Sequence, residues 1–268
     1  MKAILLGCLL TLPAATMAQK LRETSKPVTY HVGLTKAPLY PSADTLHRPS
    51  RYLPSQAEAI VVGPFSPGWM VVKLDGFLYI TPTAKLSDYD PRDTEPVPID
   101  AHTQHITYEG VVPVPGASQA VLYERARAWV TQAYPLSNAE LVKQDPATGQ
   151  LVLHGTRIVT LHQTYDNVPR SSYAGVVHHT LSIYVKDGRF KYVLTDLTHD
   201  AGATPHLNSG GPLENDRANL FGYAGLGSRK PWEDLKAEAI RDVHHLLDSL
   251  QTALTLQKPQ HSKDPSDF

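Results

Sequence analysis

Cysteine is nearly absent: the 268 residues contain one, Cys8. It falls in a stretch that reads as an export signal, so the mature chain is expected to have none. That excludes disulfides, thiolate metal ligands and cysteine nucleophiles together. Stability must then come from packed apolar cores, which about 240 residues can supply in one or two domains. An excess of one charge is missing too. The 25 Lys and Arg are set against 26 Asp and Glu, for a formal net charge of −1. Without a basic block or stripe, no electrostatic footprint for nucleic acid is present. Long apolar runs are also lacking. The longest, Ala3 to Leu12, falls well short of the roughly 20 residues a spanning helix needs, so no membrane span is expected.

What the N-terminus does contain is a secretory pattern. Lys2 supplies a positive start, Ala3 to Leu12 the short apolar stretch, and Thr16-Met17-Ala18 the small residues before a cleavage site. Residues 1–18 are therefore read as a signal peptide cleaved after Ala18, with the mature chain in the periplasm or outside the cell. Leu5-Leu6-Gly7-Cys8 offers a lipoprotein alternative at Cys8, but it leaves almost no apolar core before the cysteine.

Two domains follow from composition and pattern. Residues 27–88 read as short strands broken by turns, with no helical period. Glu58 to Val62 leads into a turn cluster from Gly63 to Gly68, Trp69 to Leu74 follows, and Asp75-Gly76 is a two-residue hairpin signal before Phe77 to Ile80. Residues 89–103, rich in Asp and Pro, are expected to form a moderately stiff linker. Residues 104–254 make the second domain, and 255–268 a polar, disordered tail. In the second domain Ile106 to Val114 is strand-like. Leu122, Ala126, Trp129, Val130 and Ala133 share one face of a helix over 118–134. Strands at 140–143 and 151–154 flank an Asp145–Gly149 turn.

A hairpin is expected over 180–198. A turn at Asp187-Gly188 pairs Val185 with Phe190, Ile183 with Tyr192 and Leu181 with Leu194, all on one face. Lys186 meets Arg189, while Tyr184 opposite Lys191, Ser182 opposite Val193 and Thr180 opposite Thr195 take the other face. A Gly-, Asn- and Pro-rich stretch from Ala201 to Lys230 precedes a last helix. That helix starts near Pro231 and carries a stripe of Leu235, Ala239, Val243, Leu246, Leu250 and Leu254. The expected order is β-α-β-β-β-β-α, an antiparallel sheet with both helices on one face.

Two resemblances attach to these residues. Ala37-Pro38-Leu39-Tyr40, Gly68-Trp69-Met70-Val71-Val72 and Gly76-Phe77-Leu78 resemble a bacterial SH3 (SH3b) domain, implying a small β-barrel. The chain departs from the family where Gly-Phe-Leu replaces its usual Gly-Trp-Val, and in the opening loop. Residues 104–254 are similar to domain of unknown function 4468, a family of exported proteins mostly from Bacteroidota with a TBP-like fold. The matching parts are the strand–helix opening, Tyr184-Val185-Lys186-Asp187-Gly188-Arg189-Phe190, the Pro212-Leu213-Glu214 step and the terminal helix. This implies a curved sheet backed by helices and an exported location. It implies no chemistry and no DNA binding.

Each chemical candidate has a plainer counterpart. Gly116-Ala117-Ser118-Gln119-Ala120 approaches a nucleophile elbow but lacks its last glycine, and Ser118 is well placed as a helix cap. Gly222 to Ser228 is glycine-rich but has no lysine after its last glycine, and reads as a loop rather than a phosphate cradle. The 13 histidines include no His-x-His or His-Glu-x-x-His. His178 and His179 must point to opposite sheet faces, and His244 and His245 diverge on their helix. Asp196, His199 and Asp200, with His178 opposite, are the one candidate metal set, and a solvated strand end accounts for them as well. Among Tyr40, Phe65, Trp69, Phe77 and Tyr79, Trp69 is expected in the core and Tyr40 exposed as a ligand contact. Tyr184, Lys186, Arg189 and Lys191 form a basic, aromatic patch on the sheet face away from the helices.

These residues describe an exported, non-catalytic binding or scaffold module without cofactor, facing peptidoglycan, a peptide or an envelope protein. An enzyme using Asp196, His199 and Asp200 is the alternative. An assembly subunit that adds an edge strand to a partner's sheet is the third reading.

Overall fold

The structure, a computed structural model, describes residues 21–25, 27–42, 45–134, 138–165, 168–221 and 230–256. The signal segment with Cys8, the Gly222–Ser228 loop and residues 257–268 of the tail lie outside the described residues. The chain divides into two compact units, Met1–Tyr89 and Asp90–Phe268.

The first unit is all β. Its strands are β1 (Val28–His31), β2 (Ala37–Leu39), β3 (Arg51–Leu53), β4 (Glu58–Ser66), β5 (Trp69–Leu74) and β6 (Phe77–Pro82). At the β5–β6 turn Asp75 and Gly76 have φ of 50° and 79°, the left-handed pair that a two-residue hairpin requires. β4 to β6 are apolar without alternation because both faces are covered. Val61, Met70, Val72 and Tyr79 join a core with Tyr30 and Leu39, whereas Val62, Val71 and Ile80 form a second, smaller one.

The small barrel that the SH3 resemblance implies is not closed here. The main sheet is open, in the order β1-β4-β5-β6, and β2-β3 forms a separate ladder. Turn residues declare hairpins locally, but closure depends on register between strands remote in sequence. Isolated bridges, Val32 with Leu86 and Tyr40 with Ile80, link residues beyond the ladders.

The second unit runs β7 (Tyr108–Pro113), α1 (Gln119–Ala133), β8 (Ala139–Asp145), β9 (Gln150–Tyr165), β10 (Val168–Lys186), β11 (Arg189–Asp200), β12 (Gly211–Pro212) and α2 (Lys230–Thr255). The expected order is present, with the two-residue β12 added. The sheet runs β12-β11-β10-β9-β8, and β7 pairs with the hairpin end of β11. The β10–β11 register matches the expected pairs from Lys186 with Arg189 through Thr180 with Thr195.

Alternation sends Leu181, Ile183, Val185, Phe190 and Leu194 inward, all essentially buried. The stripes of α1 and α2 cover them in one core. The two helices are also joined through Trp129, whose Nε1 donates to Ser249 Oγ at 3.0 Å. The 201–221 stretch packs too, with Leu213 and Leu220 buried and the Trp232 ring over Gly210.

The segment expected as a linker groups largely with the second unit. A 3-10 turn over Pro91–Thr94 presents Arg92 and Asp93 to α2. Arg92 donates to Asp90 and to Asp248, at 2.8 and 2.9 Å, and Arg241 Nε donates to Asp93 Oδ2 at 2.8 Å. Periodicity detects apolar attachment, and this attachment is ionic.

Candidate functional site

Once Ile183 and Val185 are committed to the core, the pleat leaves Tyr184 and Lys186 on the outer face of the sheet. Lys191 stands opposite Tyr184, and Arg189 opposite Lys186. β7 brings Val111 beside Lys191. These residues, with Val193 on the next outward position, line an open concavity of about 480 Å³. The four second-domain residues singled out from the sequence are thus brought together.

The concavity is held on a braced hairpin. Val114 N donates to Gly188 O and Gly188 N to Ala117 O, each at 2.8 Å. Asp187 Oδ1 accepts from Gln119 N at 2.7 Å, which turns its carboxylate toward the start of α1, where a negative charge is favoured. Lys191 Nζ lies 2.9 Å from Glu109 Oε2. Lys186 and Arg189 have no ion-pair partner among the described residues.

Tyr40 belongs to the first unit and is only half-exposed. Its ring meets Trp69 edge-on at 5.8 Å beside the small second core. Trp69, expected in the core, is itself half-buried, whereas Phe77 is 66% exposed at the end of the β5–β6 hairpin. Alternation cannot separate core from rim when both faces of a sheet are covered.

Ser118 is a cap: its side chain accepts from Val121 N. Asp196, His199 and Asp200 do not converge. His199 is 1% exposed and faces the core. Its Nδ1 accepts from Gly210 N at 2.9 Å, so Nε2 carries the hydrogen and donates to Ala174 O at 2.6 Å. Both ring nitrogens are therefore committed, and burial holds the ring below the usual imidazole range. Asp200 points the other way, toward His178 at 3.7 Å. Its carboxyl is held low by hydrogen bonds from Gly202 N and Ser209 Oγ. Asp196 is exposed at φ 61°, close to the register shift between His178 and Thr180. Adjacent strand residues face opposite ways, a signal already present in His199-Asp200.

Two groups escaped the sequence reading because their members are far apart in the chain. Among the described residues, Asp90, Asp93 and His244 form the one set whose ligand atoms all lie within 4.8 Å. Both carboxylates are already occupied by guanidinium groups. Burial pushes Asp90 up, but hydrogen bonds from the Arg92 side chain and backbone outweigh it and bring the carboxyl to about 2. The chemistry is that of a salt-bridge network.

The second group lies between the sheet and α2. Arg157, His179 and Asp242 line a cavity of about 10 Å³, enough for about one water. His179 Nε2 is 2.7 Å from Tyr134 Oη. Burial takes His179 down to about 4 and raises Asp242 and Tyr134. Tyr134 and His179 share a hydrogen bond, and the space beside His179 is that of about one water.

Comparison with known proteins bears on the second unit. Residues 108–200 match a domain of unknown function (DUF4468) with TBP-like fold. A TBP-like protein from Parabacteroides distasonis shares 12% identity and a TM-score of 0.45, over 60% of this chain and 99% of that one. A DUF4468 family protein from Bacteroides ovatus shares 14% identity at the same TM-score, over 60% and 94%. The Zhui aromatase/cyclase from Streptomyces sp. R1128 aligns at 16% identity and a TM-score of 0.26, over 57% and 94%. No curated protein matches the chain. The second unit is an α+β antiparallel sheet with two helices, of TBP-like fold. Among the described residues, no helix is long and apolar enough to cross a membrane.

Proposed function

We propose that the chain is an exported, non-catalytic binding module that offers the outer sheet face of its second domain to a cell-wall, peptide or protein ligand of the envelope. One observation carries this reading: Tyr184, Lys186, Arg189 and Lys191 line a single open concavity of about 480 Å³ on braced strands. That volume falls in the range of small-ligand sites, and the mix of apolar walls with a few polar groups is typical of them. Sites built on strands rather than loops also lose little freedom on binding. Export rests on the Lys2, Ala3–Leu12 and Thr16–Ala18 pattern. The non-catalytic reading rests on the committed nitrogens of His199, the guanidinium-bound Asp90 and Asp93, and the one-water space beside His179.

The first domain enters as an SH3-like module, with its short strands, its Asp75-Gly76 hairpin and the half-exposed Tyr40 and Trp69 as the pieces in favour. The test is retention of the full mature chain on purified peptidoglycan sacculi, compared with its Tyr184→Ala and Tyr40→Ala variants. Retention is expected, with loss in Tyr184→Ala. Equal recovery from sacculi and from blank resin would count against the reading.

A further inference from the structure

We propose that the concavity is an anion subsite, taking a ligand that ends in a phosphate or carboxylate carried on an aromatic or apolar body. The inference rests on the outer-face reading above and adds the chemistry of the ligand. Like charges directly opposite each other on paired strands repel, and Lys186 faces Arg189 in the register. Lys191 is two residues further along the same face. The one carboxylate on the neighbouring strand, Glu109, is taken by Lys191. Asp187, adjacent in sequence to Lys186, has its carboxylate turned to Gln119 N instead.

Two cations are thus left over the concavity without a counter-ion among the described residues. Two exposed strand cations of the first unit are paired instead: Lys73 meets Glu23 at 2.8 Å, and Arg51 meets Asp75 at 2.6 Å. An oxyanion placed between Lys186 and Arg189 removes the repulsion. The Arg189 fork can take two of its oxygens, and Lys186 adds a point charge. The remaining wall includes Tyr184, Val111, Phe190 and Val193, with Val111 60% exposed, a surface suited to a flat apolar body and not to a bare hydrated ion. The hydrogen bonds bracing Asp187 and Gly188 fix the turn whose flanking residues carry the two cations.

The test titrates the full mature chain with phenyl phosphate, benzoate and neutral benzyl alcohol, following backbone amide signals of residues 184–193 by NMR at low and high salt. Both anions are expected to move these signals, to weaken as salt rises, and to bind at least roughly tenfold better than benzyl alcohol. A Lys186→Gln/Arg189→Gln pair should cut anion binding by roughly tenfold or more while leaving benzyl alcohol unchanged. An unaltered thermal midpoint would show that the hairpin still folds. A preference for phenyl phosphate assigns a phosphate ligand, and a preference for benzoate a carboxylate.

Equal binding of all three probes, undiminished anion binding by the pair, or no response to any probe overturns the inference. The sacculus assay separates the two levels. Retention lost in Tyr184→Ala but kept in the charge pair leaves the binding face standing without its anion. Anion binding with sacculus recovery at the blank-resin level keeps the subsite and removes the wall ligand.

Discussion

The buried Tyr134–His179 pair makes the stability of the second unit depend on pH in a way that can be worked out in advance. His179 is 4% exposed, and its Nε2 lies 2.7 Å from Tyr134 Oη. Burial, aided by the nearby Arg157 charge, takes it from 6.5 to about 4. The folded chain therefore keeps the ring neutral where the unfolded chain already binds a proton. Above pH 6.5 neither state is protonated and the folded state is at full strength. As the pH falls below 6.5 the unfolded state gains protons first, and the loss is complete once the pH passes about 4.

At about 1.4 kcal/mol per pH unit, the interval from 6.5 to about 4 amounts to about 3 kcal/mol. That is a large share of the roughly 5–15 kcal/mol a domain has. Urea unfolding at several values between roughly pH 7 and 4 measures it. Trp129, 6.0 Å from Tyr134 and edge-on to it, supplies a nearby fluorescence signal. The comparison is His179→Gln, which keeps an amide to bond Tyr134 but cannot titrate. It should start lower at neutral pH and decline less steeply. His199, also depressed by burial, titrates in both proteins and drops out of the difference. Parallel curves for the two proteins would refute the argument, because the proton then goes elsewhere.

Other outcomes follow from the same packing. Arg241→Ala strands Asp93, whose side chain is 4% exposed. It should lose about 3–5 kcal/mol, whereas Arg241→Met with Asp93→Leu should recover most of that, both read by thermal unfolding. Gly155→Ala sets a methyl against His179 Nε2 and 2.6 Å from the Tyr134 ring. It should cost about 1–3 kcal/mol in the same measurement. His199→Ala leaves Gly210 N and Ala174 O unpaired and should destabilise by about 1–3 kcal/mol, with metal content unchanged by elemental analysis. A stoichiometric metal lost with His199 would make it a ligand after all.

Much of the second unit was written locally. The Asp187-Gly188 turn and the period-two pattern around it agree on one register, since a slip by a single residue would have turned Leu181, Ile183 and Val185 outward. The α2 stripe from Leu235 to Leu254 is equally self-declaring, all six positions being buried. The same alternation placed Tyr184, Lys186, Arg189 and Lys191 on one face, so the candidate site was legible as a set of directions before any fold was known.

Distance in the chain marks where that legibility stops. The Asp90–Arg92–Asp248 and Asp93–Arg241 contacts join a Pro-rich segment to a helix about 150 residues away through charges alone, and no periodicity announces an ion pair. His179 and Asp242 reach one small cavity only after the sheet and α2 are stacked. Openness of the first sheet depends on whether its edges meet, which no single strand encodes. By itself the sequence determined which side chains point together along each strand and helix, because backbone geometry sets that period. Only the tertiary structure decided which of them lose water, find a counter-ion or face an open concavity, because those outcomes depend on what the rest of the chain lays against them.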